Sequence, residues 1–162
     1  MKDIENFEYY LKPGYLYLTR EDEIIYTVLG SCVMVTLWDK RNKYAAVCHY
    51  LYPYIEDKKL YTSKYGNVAI RAIIKYLLEN GSKKYNLEAM IFGGGDIYKN
   101  GVGQNNILIA RKILKENKIK IISEDTGGSM GRKIIYHTRT NQAIVYKVKN
   151  IRKNDWWPYG ER

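Results

Sequence analysis

Short runs of β-branched and aromatic residues follow one another through the front of this chain, and they limit its fold more than any other feature. After Pro13-Gly14 they occupy residues 15–19, 24–29, 33–38 and 44–52, and each reads as a strand. Later strands are predicted at 87–92, 119–123, 133–137 and 143–148, punctuated by Gly93-Gly94-Gly95 and Gly127-Gly128. Only two segments carry a helical period. Asn67 opens one in which Ile70, Ile73, Ile74, Leu77 and Leu78 share a face, and Gly81 follows its end as a cap residue. Asn105 and Asn106 are read as caps of the other, where Ile107, Ala110 and Leu114 face one way and basic residues the other. About eight strands with two helices predict an α+β sandwich, because a doubly wound parallel sheet would alternate helix with strand.

The 162 residues suit one compact domain, placed at 1–150, followed by a tail at 151–162 that carries the adjacent Trp156 and Trp157. With 17 Tyr, 3 Trp and 2 Phe there is enough apolar and amphipathic surface to close a core without covalent staples. Cys32 and Cys48 are the only cysteines, too few for a secreted disulfide framework, so a reducing compartment is expected. No stretch has the apolar length of a signal peptide or a membrane span, which predicts a cytoplasmic protein without direct membrane insertion. The formal charge of +10 favours acidic partners. The basic residues are scattered without a run of five or six, and no nucleic-acid motif accompanies them, so nucleic acid is not the expected partner.

Chemistry points first to Cys32. Leu29-Gly30-Ser31 lets the backbone bend just before the thiol and a predicted strand starts just after it, a junction where a cysteine stays accessible on rigid support. A free thiol is only a few per cent thiolate at neutral pH, so an efficient nucleophile needs a base beside it. If 33–38 and 44–52 form a hairpin closed near Arg41-Asn42, paired residue numbers sum to about 83. His49 then becomes a diagonal neighbour of Cys32, roughly 5 to 8 Å away at the backbone. The same alternation turns Cys48 to the opposite face, as a small core hydrophobe. A hydrogen-bonded core histidine and a thiol packed like alanine are the other reading of the same pattern. Cys32, Cys48, His49 and His137 fit no zinc spacing, so no metal is expected. The segment GGGDIYKNGVG lacks both the P-loop ending and the dinucleotide spacing, which leaves turns and close backbone approach as the use of its glycines.

TVLGSCVMVTLWD, with the histidine of AAVCHYLYP 17 positions after the cysteine, resembles the chemoreceptor glutamine deamidases known as CheD. The helix preceded by YTSKYGN, the segments IFGGGDIY and VGQNNI, and EDTGGSMGRKIIYHTRTNQAIV follow in that family's order, over about residues 10–148. The resemblance implies hydrolysis of glutamine side-chain amides on the cytoplasmic helices of methyl-accepting chemoreceptors, without a cofactor. It implies a Cys-His-Thr triad of Cys32 as nucleophile, His49 as base and Thr27 as the third member. Backbone N–H groups of Ser31 and Cys32 are the expected oxyanion donors. The implied fold is a layered α/β/β/α sandwich of two packed sheets with flanking helices, like the catalytic domain of cytotoxic necrotizing factor toxins. A CheC-type phosphatase is the further partner implied, and a non-enzymatic adaptor for receptors or that phosphatase is the alternative function. One departure stands out: where the family commonly has Gly-x-Arg-Asn, this chain has Gly103-Gln104-Asn105-Asn106.

Overall fold

The computed structural model describes residues 7–151; Trp156 and Trp157 lie outside them. Among the described residues nine strands form two mixed sheets. The strands are β1 Phe7–Tyr10, β2 Leu16–Thr19, β3 Glu23–Leu29, β4 Val33–Asp39, β5 Tyr44–Tyr50, β6 Leu87–Gly93, β7 Lys120–Thr126, β8 Gly131–His137 and β9 Gln142–Val148. Helices α1 Gly66–Glu79 and α2 Val102–Glu116 complete the described elements used below. One sheet has the order β1-β3-β8-β9 and the other β2-β5-β4-β6-β7. All eight strands expected from the sequence are present, and β1 is a ninth that pairs parallel to β3.

The β4–β5 hairpin has the expected register, with Val33 opposite Tyr50 and Met34 opposite His49. Its strand β5 stops at Tyr50, earlier than expected, because the N–H groups of Leu51 and Tyr52 both donate to the Lys64 carbonyl. Every residue of β4 is buried, as a central strand covered on both faces must be. One face, with Val33, Val35, Leu37, Ala46, Cys48 and Tyr50, packs under the apolar stripes of both helices. The other, with Met34, Trp38, Ala45 and Val47, packs against Ile25, Leu29, Ile134 and Tyr136 of the second sheet.

The layer order therefore corrects the expected α/β/β/α arrangement. Both helices lie on the five-stranded sheet, whose outer face is apolar enough to bury them. The outer face of the four-stranded sheet carries Lys133 and the exposed Ile144 and Tyr146, and no described helix covers it. The start of α2 is a second correction. It begins at Val102, after a left-handed Gly101, so Asn105 and Asn106 lie inside its first turns and cap nothing. Gly103 serves the close backbone approach expected of this segment's glycines and lets α2 dock: a Cβ there would come within 2.4 Å of the Gly95 carbonyl oxygen.

Candidate active site between the sheets

Residues 30–32 carry the chain from one sheet to the other, since β3 belongs to the four-stranded sheet and β4 to the five-stranded one. Cys32 lies at the end of that crossing and packs, partly buried, against the cluster between the sheets. Its support is a backbone zipper. Gly94 N–H donates to the Cys32 carbonyl at 2.8 Å and Gly95 N–H to the Gly30 carbonyl at 3.0 Å. A Cβ at Gly93, which has φ +102, would lie 2.3 Å from the Cys32 carbonyl oxygen. The glycine cluster thus serves close backbone approach. A second loop braces the first, with Gly127 N–H donating to Gly93 and Asp96 N–H to Gly128. The buried Arg132 guanidinium holds that loop by donating to Asp125 Oδ1 and the Gly127 carbonyl, each at 2.8 Å.

His49 and Thr27 reach the same layer from opposite sheets. His49 shares the inward face of β5 with Ala45 and Val47, and Thr27 shares that of β3 with Ile25 and Leu29. Thr27 Oγ1 lies 2.8 Å from His49 Nδ1 and 2.7 Å from the Leu11 carbonyl oxygen. The threonine hydroxyl has one proton and a carbonyl can only accept, so that proton goes to Leu11. Oγ1 therefore accepts from the imidazole, which fixes the ring proton on Nδ1 and leaves the lone pair on Nε2.

Desolvation sets the resting charges. Burial pushes the Cys32 thiol up to about 11, opposed only by its own backbone N–H. The fully buried His49 is held down to about 3 by loss of water, against a smaller upward pull from the Leu11 backbone. Both groups are neutral at pH 7, a partly buried thiol and a buried imidazole in the layer between the sheets. Cys48 points the other way into the helix-side core, and burial raises its thiol to about 12. His137 is paired with Ile24 at the far end of β8, and among the described residues no group of three or more acidic, cysteine or histidine side chains could hold a metal ion.

A cleft of about 460 Å³ opens at Cys32. Val28, Ile97, Tyr98 and Ile151 give it apolar walls, and Lys149 adds a positive charge. Sequence reasoning missed these walls. It also missed Asn106, which is fully buried and donates from Nδ2 to the carbonyls of Ser31 and Leu51, both at 2.9 Å. A signal for it exists: Asn106 shares the helical stripe of Gly103, Ile107, Ala110 and Ile113, where a polar residue is out of place. Asn105, which stands where the family commonly has arginine, is exposed on α2 and away from this stripe. Among the described residues no helix is long and apolar enough to cross a membrane.

Comparison with known proteins places the site in context. The family model for CheD chemotactic sensory transduction matches residues 54–147, beyond Cys32 and His49. Three relatives are each named probable chemoreceptor glutamine deamidase CheD. That of Trichlorobacter lovleyi is 35% identical over 147 residues, covering 88% of this chain and 91% of its own. That of Sulfurimonas denitrificans is 36% identical over 146 residues, covering 86% of this chain and 94% of its own. That of Methylobacillus flagellatus is 33% identical over 151 residues, covering 88% of this chain and 74% of its own. A contiguous match of such extent leaves fewer residues outside it than precede Thr27, so it spans Thr27, Cys32 and His49. By the family model and by relatives that match most of both chains, this chain belongs to the CheD family.

Proposed function

We propose that the chain is a cysteine-dependent protein-glutamine deamidase that acts on the cytoplasmic helices of methyl-accepting chemoreceptors, with a CheC-type phosphatase as a further partner. Its relatives' names give the reaction and the substrate. The observation that carries the assignment of residues is the 2.8 Å contact between Thr27 and Nδ1 of His49, because it leaves Nε2 as the base in the layer that also holds Cys32. Two packed sheets support the likeness to the catalytic domain of cytotoxic necrotizing factor toxins, and a reducing cytoplasm suits two free cysteines.

In this mechanism Nε2 takes the Cys32 proton as Sγ attacks the glutamine side-chain carbonyl, and the backbone N–H groups of Ser31 and Cys32 hold the oxyanion. The protonated ring then gives its proton to the leaving nitrogen, which departs as ammonia. Water, deprotonated by Nε2, attacks the γ-glutamyl thioester, and the released thiolate recovers its proton. Thr27 keeps the ring in the productive tautomer and moves no proton itself. The direct test is mass spectrometry of a chemoreceptor cytoplasmic domain after incubation with the protein, reading the conversion of glutamine to glutamate at single sites. Receptor that keeps its glutamines would end the reading.

Thr27→Ala is expected to lower the deamidation rate roughly 10- to 100-fold by loosening the ring. Thr27→Ser, which keeps the hydroxyl, is expected to stay within several-fold of wild type. Equal loss in both variants would assign Thr27 to packing. Salt should separate encounter from chemistry. The exposed Lys112 and Lys115 of α2, with Lys118 and Lys120 beside them, make a basic face, whereas Arg111 is engaged with Glu124 at 2.9 Å. Between about 0.05 and 0.5 M salt the screening length shortens from about 14 to 4 Å, so kcat/KM for an acidic receptor domain should fall steeply. Alkylation of Cys32 by a neutral reagent should stay flat. A flat kcat/KM would mean that docking rests on apolar contacts.

A further inference from the structure

We propose that Asn106 is a positioning residue for the oxyanion: by holding the Ser31 carbonyl, its amide aims the Cys32 N–H at the point where the substrate oxygen becomes negative. The inference rests on the deamidase reading above and assigns a role that the triad leaves open. Asn106 donates both of its amide hydrogens, one to Ser31, the residue before the nucleophile, and one to Leu51, two residues after the base. A single buried side chain on α2 thereby fixes the segments that carry Cys32 and His49. The Tyr50 hydroxyl fixes α2 in turn by donating to the Asn106 backbone carbonyl.

Peptide geometry converts this clamp into an orientation. The Ser31–Cys32 peptide is planar and trans, so its C=O and N–H point in opposite directions. With the carbonyl tied to α2, which covers the outer face of the five-stranded sheet, the Cys32 N–H must point to the inter-sheet side, where its thiol packs. The downward pull of that N–H on the thiol agrees with this direction. A hydrogen bond to the carbonyl also polarises the peptide and makes its N–H a better donor. Among the described residues Asn106 Oδ1 is buried with no hydrogen-bond partner, a cost carried by the side chain whose two amide hydrogens satisfy the Ser31 and Leu51 carbonyls.

The test compares two reactions of the same thiol. Attack on an amide builds a tetrahedral oxyanion, whereas displacement of iodide from iodoacetamide builds none. In Asn106→Ala, kcat for receptor deamidation is expected to fall about 10- to 100-fold, with KM and the rate of Cys32 alkylation at pH 9 within about two-fold of wild type. A parallel fall in alkylation would overturn the proposal, because Asn106 would then position the thiol or the ring. An unchanged kcat would overturn it as well. Asn106→Ser keeps one donor in a smaller side chain and gives the same comparison if the alanine variant does not fold. Wild-type protein that deamidates nothing would instead overturn the deamidase reading, a failure seen in the control before any variant is compared.

Discussion

Replacing Cys32 with alanine is expected to abolish receptor deamidation, at least about a 10⁴-fold loss, because Cys32 is the only thiol that lines the cleft among the described residues and the proposed mechanism runs through it. Cys32→Ser should be nearly as inactive. A hydroxyl is far less acidic than the thiol it replaces, and His49 is held too weakly basic by burial to activate it. Cys48 supplies the internal control. Its partner Val35 and its neighbours Ala46 and Tyr50 lie on the helix side of the same strands, one residue out of phase with His49. Cys48→Ala should therefore keep wild-type activity and lose about 1 to 2 kcal/mol of stability through the small void left behind. Site-resolved mass spectrometry and a thermal melt read the two effects separately. Wild-type turnover by Cys32→Ala would end the covalent mechanism.

The contrast between Cys32 and Cys48 was legible in the sequence because it depends on local rules. A short hairpin fixes its own register, and the period of two then assigns each side chain to a face. The spacing of Ile70, Ile73, Ile74 and Leu77 is local in the same way, and α1 formed where it was expected. What the sequence hid is non-local. β1 is four residues long and exists through its parallel pairing with β3 across an intervening strand. The cleft is assembled from residues 28, 30–32, 97–98, 131 and 149–151, which no periodicity joins. Asn106 was hidden because asparagine weakens a helix by propensity and reads as a cap, whereas here its amide bonds two carbonyls from inside α2. The Thr27–His49 contact crosses from one sheet to the other, so only the family resemblance pointed to Thr27 beforehand.

His49→Gln is expected to remove activity as fully as Cys32→Ala and, in addition, to change how stability responds to acid. An unfolded histidine takes a proton near its ordinary value of about 6.5, while the buried ring in the folded protein stays neutral down to about 3. Between those values the unfolded chain binds more protons than the folded one, so stability is full above the upper value and is lost as pH falls through the window. The slope approaches about 1.4 kcal/mol per pH unit. Cys32, raised to about 11, and the tyrosines Tyr9, Tyr17 and Tyr136 of the same layer, which burial also raises, are neutral throughout this window and add no opposing contribution. Glutamine does not titrate. In denaturant melts between pH 6.5 and 5, above the range where most carboxylates take up protons, the wild-type free energy of unfolding should fall with acid and that of His49→Gln should fall less steeply by nearly that slope. Parallel slopes would mean that the folded protein protonates His49 near its ordinary value. The ring would then be open to water, and the resting site would hold an imidazolium in mild acid instead of the neutral base on which the proposed proton transfer depends.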